Sequence, residues 1–295
     1  MSIKPKKITV IQTIYKDDSF AAEAISSERT LTETIYNEDG QILEEKRYAQ
    51  DGSIENTLIN TYENGKLVMQ EHQGEFDEFS EKLEFKYDDQ GHLSKQLKHY
   101  ADGSIDETIF SYNTQWQLIE KKTINDEGEQ EEHSRYTYDG SKLATDETFD
   151  ADGELVSSHH NTYDAAGNVI EQIVDGIEGY QKTVHVFNSN NQRISTHKYN
   201  EDDECIEETL IEESEDRKLL KMQETIHGNI SYYTIELDAA GRQTKQEETD
   251  EDGDLISSIE REYDENGNLL LSKAMVYRPE FGTYQYYSIS NIIET

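Results

Sequence analysis

The sequence predicts an all-β protein: an elongated antiparallel meander of tandem β-hairpins, in units of about 25 residues, coiled into a superhelical sheet or an open shell. Three observations carry this. Aromatic residues recur at Tyr36, Tyr62, Tyr87, Tyr112, Tyr138 and Tyr163, at spacings of 26, 25, 25, 26 and 25, and Phe187 follows 24 later. Most are followed by a short acidic or amide stretch that closes on Gly. Between these stretches, apolar residues alternate at the period of two that marks a half-buried strand.

The turns fix the hairpins. One series reads Tyr36-Asn-Glu-Asp-Gly40, Tyr62-Glu-Asn-Gly65, Tyr87-Asp-Asp-Gln-Gly91, Tyr163-Asp-Ala-Ala-Gly167 and Tyr263-Asp-Glu-Asn-Gly267. A weaker series lies half a unit out of phase, with Tyr48-Ala-Gln-Asp-Gly52, Tyr100-Ala-Asp-Gly103, Phe149-Asp-Ala-Asp-Gly153 and Tyr199-Asn-Glu-Asp-Asp203. Asp or Asn opening the turn and Gly closing it match a type I turn followed by a left-handed residue, a common hairpin loop. The combined period of about 12 to 13 residues leaves roughly eight for each strand, within the usual range. Within the strands, Ile54, Leu58 and Tyr62 share a face with Asn56 and Asn60, and Leu93 with Leu97 and Ile105 with Ile109 repeat the pattern. Tyr at one strand end, with Leu or Ile two or three residues past the Gly, is expected to form ladders along the sheet.

The units read as one continuous domain over residues 1–295. Residues 1–30 are expected to form an N-terminal cap, 31–271 the repeats, and 272–295 a C-terminal cap. Gln115 is read at the Gly position after Tyr112, Asn191 takes that position after Phe187, and Tyr138-Asp-Gly140 is a shortened turn. Register is hardest to read over 204–234, where a strand, a longer loop and a short helix all remain open.

Composition bounds function. Hydrophobic residues make up 33% of the chain, below the roughly 45–50% (Gly included) of ordinary soluble domains, so no thick core is available. Disorder is opposed by only 2 Pro and by 19 Tyr among many Ile, Val and Thr, residues that suit pleated surfaces. The formal net charge of -37 repels nucleic-acid phosphates and anionic lipid and attracts a basic protein; the same charge also keeps an exposed sheet soluble. The expected partner is therefore a basic protein, with neither nucleic acid nor membrane. Cys205 is the single cysteine. With no apolar segment long enough for a signal peptide or a spanning helix, a cytoplasmic location is expected, signal-less export being compatible with it.

At the units Tyr163-Asp-Ala-Ala-Gly167-Asn-Val-Ile and Tyr263-Asp-Glu-Asn-Gly267-Asn-Leu-Leu, the chain resembles the YD repeats of bacterial Rhs and Tc-toxin shell proteins, over about Tyr36 to Leu271. In that family the repeats wind a β strip into a hollow shell around a toxin, so the resemblance implies a similar sheet. The chain departs from the family in its short length, its acidity, and the Arg after the Gly, kept at Arg242 but missing from most units. It is also similar to the MORN-like Gly-turn repeat proteins regarded as antitoxins or immunity proteins.

Each candidate site also has a plainer reading. Asp150-Ala-Asp152-Gly153 and Asp250-Glu-Asp252-Gly253 look like pieces of a calcium loop, but the bidentate Glu required at loop position 12 falls on His159 and Ile259. Hairpin turn chemistry explains these aspartates without metal. His159 and His160 are adjacent and point to opposite faces of a strand. No metal, cofactor or catalytic residue is assigned. Trp116 reads as a recognition hot spot or as filler for a gap in the Tyr ladder. Tyr277, Phe281, Tyr284 and Tyr286 read first as a cap over the last strand's edge and second as a docking surface. Two roles follow: a non-enzymatic acidic β surface that binds a basic partner, in a toxin-neutralising or chaperone-like way, or a structural spacer or partial shell in a larger secretion or toxin assembly.

Overall fold

The computed structural model describes residues 4–74, 80–177, 179–214, 216 and 218–295. It contains 22 strands in a single antiparallel sheet. The first six are β1 (Lys7–Tyr15), β2 (Ile25–Tyr36), β3 (Ile42–Tyr48), β4 (Ile54–Glu63), β5 (Lys66–Gly74) and β6 (Ser80–Tyr87). Next come β7 (Leu93–His99), β8 (Ile105–Tyr112), β9 (Leu118–Ile124), β10 (Gln130–Asp139), β11 (Lys142–Phe149) and β12 (Leu155–Tyr163). β13 (Val169–Gly176), β14 (Gly179–Phe187), β15 (Arg193–Tyr199), β16 (Cys205–Glu213) and β17 (Leu219–Ile226) follow. The last are β18 (Asn229–Leu237), β19 (Gln243–Asp250), β20 (Leu255–Tyr263), β21 (Leu269–Arg278) and β22 (Thr283–Glu294). The segment 204–234, open in sequence, is strand over β16, β17 and most of β18.

The meander is as expected; its shape is not. β1 pairs with β2 on one side and with β22 on the other, from Lys7↔Glu294 to Tyr15↔Tyr286. The sheet is thus a closed β-barrel, not an open shell or a superhelix. Neither terminal segment covers a bare edge: each supplies a strand to the seam. Closure removes the unpaired N–H and C=O rows that an edge strand would expose. Every extensive strand–strand contact among the described residues is between sheet neighbours. With strands about 4.8 Å apart, a round ring of 22 would be at least about 34 Å across, too wide for side chains from opposite walls to meet. This is a wall without a packed centre, and so low apolar content suffices. Only Ala24, Ile235 and Ala274 are buried hydrophobic residues among those described.

The hairpin turns follow the sequence reading. At Asp164 the backbone N–H donates to Asn168 O (3.0 Å) and Gly167 N donates to Asp164 O (3.1 Å), with Gly167 at φ +99°. The Asp164 carboxylate accepts from the backbone N–H of Ala166, Gly167 and Asn168 at 2.9, 2.8 and 2.9 Å. The Asn168 side-chain amide foremost, then these amides, hold its carboxyl below the usual range. Past most of these turns a bulge intervenes, the turn between β7 and β8 being an exception. Tyr36 pairs with Ile42 but Ile35 with Glu44, leaving Leu43 extra, and Tyr87 pairs with Leu93 but Lys86 with Lys95. Bulges raise local twist and curvature, and their repetition at the strand ends suits a sheet that must curl into a ring.

The bulge also explains the tyrosines. β3 pairs with β4 only from Glu44 onward, so the Ile42 carbonyl has no ladder partner, and a buried orphan carbonyl is costly. The phenol of Tyr62 fills it, donating to Ile42 O at 3.0 Å. The same rung recurs from Tyr87 to Leu67 O, Tyr112 to Leu93 O, Tyr138 to Leu118 O, Tyr163 to Leu143 O and Tyr263 to Gln243 O, each at 2.8 Å. The Tyr–Leu ladder of the sequence is therefore a row of side-chain hydrogen bonds. At Ile42 and Leu143 a second donor, Asn60 Nδ2 or Asn161 Nδ2, lies at 3.0 and 3.2 Å. Tyr87→Phe, which strips Leu67 O of its side-chain donor, is expected to cost about 1–3 kcal/mol in urea unfolding, and Tyr163→Phe about 1 kcal/mol or less. Equal losses would mean that the ring, not the hydroxyl, makes the rung.

Side chains alternate between two faces that remain distinct around the ring. One is laced with ion pairs, including Lys7–Glu33 (2.7 Å), Lys95–Glu107 (2.7 Å), Lys245–Glu247 (2.7 Å) and Lys273–Glu262 (3.3 Å). The other carries the rung tyrosines with Asn60, Asn161 and Ile235. Both faces shelter residues at the strand middles: Asn60, Thr108, Ser134 and Ile235 are buried on the tyrosine face, and Thr13, Thr57 and Ser288 on the other. Burial is the leading cause that pushes the Asp146 carboxyl up, the His185 imidazole down and the Tyr233 phenol up to about 12.

Candidate functional site

Because strands alternate in direction, each turn series belongs to one rim of the barrel. The first series, from Asn37 to Gly267, forms the tyrosine rim. The second forms the opposite rim together with loop 16–24 and the hairpin ends at Ile177, His227 and Pro279–Gly282.

On the tyrosine rim, the residue after the turn glycine reaches across to the next unit. Gln41 Nε2 donates to Gly65 O (2.8 Å), Lys66 Nζ to Gly91 O (2.9 Å) and Gln117 Nε2 to Gly140 O (2.7 Å). Lys66 and Lys142 also lie over the rings of Tyr87 and Tyr163, and Arg242 over Tyr263, 4.7–5.0 Å from the centroids. These clasps join neighbouring units and explain why a cation or amide stands there.

Trp116 breaks the pattern. The turn opens at Asn113, since Asn113 N donates to Gln117 O and Trp116 N to Asn113 O. The glycine position is therefore Trp116 itself, at φ +62°, and not Gln115 as the spacing suggested. A non-glycine residue in this region costs roughly 1–2 kcal/mol. The Trp116 ring stacks on His92 at 4.0 Å and 5°, with Tyr112 at 6.5 Å. His92 occupies the clasp position after Gly91, and stacking replaces the usual bond to the next turn. Its Nδ1, 3.5 Å from Asp88 Oδ2, has no hydrogen-bond partner among the described residues. Aromatic stacking contributes about 0.5–1.5 kcal/mol, enough to offset most of the strain. His92→Ala should therefore destabilise by about 1 kcal/mol, and Trp116→Gly added to it should restore that loss. Non-recovery in a thermal or urea melt would refute the compensation.

The C-terminal aromatics fall on the opposite rim, at the seam. Tyr277 and Tyr284 lie 5.3 Å apart and Tyr284 and Tyr286 6.5 Å apart. Phe20 joins Tyr286 (6.3 Å) and Tyr15 (5.1 Å). Tyr284 donates to Leu255 O at 2.7 Å. Because β22 is paired on both sides, this group does not cover an edge; it braces the join. Phe281 stands apart at the hairpin tip, 78% exposed. The structure thus brings Tyr277, Tyr284 and Tyr286 together and separates them from Trp116 by the length of the barrel.

The seam rim is the acidic one. Its turns include Asp126-Glu127-Gly128-Glu129, Asp150-Ala151-Asp152-Gly153-Glu154, Glu201-Asp202-Asp203-Glu204 and Asp250-Glu251-Asp252-Gly253-Asp254. The equivalent tyrosine-rim turns include Asn113–Gln117 and Asn188–Gln192, which carry no charge, and Asp238–Arg242, where Arg242 pairs with Asp238 at 2.7 Å. Exposed apolar residues join the acidic turns: Ile54, Ile105, Leu155 and Ile177. Sequence reasoning did not single these out, although the phase of the turn series already assigns each to this rim. Among the described residues, no three His, Cys, Asp or Glu side chains are arranged to hold a metal ion.

No protein-family model matches the chain, and no curated protein matches it significantly. Among solved structures, a porin-like protein from Bacteroides uniformis aligns over 100% of this chain and 98% of its own, at 9% identity and a TM-score of 0.39. One from Bacteroides vulgatus aligns over 97% and 98%, at 8% identity and a TM-score of 0.23. A Bacteroides fragilis protein of unknown function aligns over 56% and 89%, at 16% identity and a TM-score of 0.14. Similarity at this level defines no family for the chain.

Proposed function

We propose that the chain is a non-enzymatic binding protein, a thin-walled acidic barrel whose partner is a basic protein, in a neutralising or chaperone-like role. The carrying observation is the unequal division of charge between rims: carboxylates crowd the turns at one end, in a chain whose formal net charge is -37. Such a field raises the encounter rate with a cationic partner and weakens with salt. Nucleic acid is disfavoured by the same sign of charge.

The barrel is read as bathed in water on both faces. A membrane barrel needs an outward apolar band, and Lys or Arg at the bilayer midplane costs about 2–4 kcal/mol. Here Lys46, Glu71, Glu247 and Lys273 stand on one face, and Lys121, Asp146, Gln172 and Glu224 on the other. Neither face offers such a band, which supports the water-exposed reading.

The test is affinity capture from host lysate at low salt, elution by a salt gradient, and reconstitution with the purified partner. A basic protein whose affinity falls about tenfold or more as salt rises past the screening range is the expected result. Salt-insensitive self-association alone would overturn the reading in favour of a structural component of a larger assembly.

A further inference from the structure

Resting on that reading, we infer that the partner docks end-on at the acidic rim, and that it is a cationic segment with its own apolar side chains. The observation is a difference between equivalent positions. On the tyrosine rim, the second residue after the turn glycine (Ile42, Leu67, Leu93) is half-buried, with its carbonyl bonded to a tyrosine of the following strand or unit. On the acidic rim the same position holds Ile54, Ile105 and Leu155, exposed by 42, 39 and 51%. Leu255 shows what would cover them: Tyr284 donates to its carbonyl, and Leu255 is half-buried.

These bare side chains stand beside carboxylates. Asp51 precedes Ile54, Asp102 precedes Ile105, and Asp152 and Glu154 precede Leu155. The two most exposed large apolar residues described, Ile177 at 83% and Phe281 at 78%, are hairpin tips on this same rim. An apolar partner surface would leave the carboxylates facing low dielectric, and a purely cationic one would leave the apolar side chains in water. Complementarity to both is met by a segment mixing Lys or Arg with Leu, Ile or Phe. Since successive turns on one rim are two strands apart, such a segment running along the rim meets a turn about every 10 Å.

The test uses the full chain and two synthetic probes of equal length and charge: an amphipathic peptide of lysine and leucine, and one of lysine and serine. Calorimetry at low salt is expected to give at least tenfold tighter binding of the leucine peptide. The triple variant Ile54→Ser, Ile105→Ser, Leu155→Ser should lose that excess while keeping the wild-type melting temperature. Ile119→Ser with Leu270→Ser, on the tyrosine rim, should retain it. Equal affinity of the two probes for the wild type, or equal loss in both variants, would overturn end-on docking and leave a basic partner possible. Binding of neither probe would overturn the proposed function itself.

Discussion

Ser288→Pro is expected to open the barrel and make the protein self-associate. Ser288 is the most deeply buried side chain described, 1% exposed. It lies mid-strand in β22, opposite Lys273 on β21 and Thr13 on β1, with Tyr15 Oη 3.1 Å from its Oγ. Proline removes a ladder N–H and is tolerated in sheets only at edges, strand starts or bulges. Nothing at Ser288 is an edge, so the strand must distort, and the adjacent seam is where distortion finds relief. A loss on the order of 3 kcal/mol is expected. Opening bares two strand edges at once, the template for edge-to-edge pairing. Size-exclusion chromatography with light scattering reads this directly. Ala165→Pro is the control: position i+1 of a type I turn favours proline, and stability should hold or rise by about 0.4–1 kcal/mol. If Ser288→Pro keeps the wild-type size and melting point, β1 and β22 do not form the seam.

Gly176→Ala should cost about 1–3 kcal/mol, whereas Gly74→Ala should be neutral or stabilising. Both glycines lie at strand ends outside the left-handed region, so alanine suits their backbone equally. A Cβ at Gly176 would sit 2.5 Å from Val156 O and 3.0 Å from Ser157 Cα, and backbone cannot swing aside as a side-chain tip can. At Gly74 a Cβ meets nothing within 4 Å among the described residues. Alanine restricts the unfolded chain at both sites, a gain of about 0.4–1 kcal/mol. The overpacking cost of about 1–3 kcal/mol exceeds that gain only at Gly176. Equilibrium unfolding in urea tests the opposite signs, and equal shifts would contradict the close approach of β12 to Gly176.

The hairpins were legible because their chemistry is local. An Asp or Asn side chain that accepts from the amides two and four residues on, with a left-handed residue between, must be written within five consecutive letters. The left-handed position falls on Trp116 and not on Gln115 because the turn is set by Asn113, the residue that opens it, and not by the spacing from Tyr112. The closure left no comparable trace. The contact of Tyr15 with Ser288 spans 273 residues, and the strands that make it look like their neighbours. An atypical terminal strand reads as a cap whether it ends a sheet or completes a ring. The tyrosine hydroxyls were missed as donors because the carbonyls they fill are orphaned by a bulge, which appears only once two strands are in register. The docking residues were hidden differently. Ile54 and Leu93 hold the same place after a turn glycine, and only the opposite aspects of the two rims separate the bare residue from the covered one.

The seam sets an order on folding. The other strand pairings join sequence neighbours across short connections, the kind of contact that forms quickly. The join of β1 to β22 alone must wait for a chain end to return. Closing a loop of 273 residues from a random chain costs about 3–4 kcal/mol more entropy than closing a five-residue turn. Much of that cost disappears once the intervening hairpins have formed and their bulges have curved the strip, because the ends are then held near each other. The ring is accordingly expected to be the last event of folding and the first casualty of unfolding, with a destabilised barrel passing through an unzipped strip before its hairpins melt.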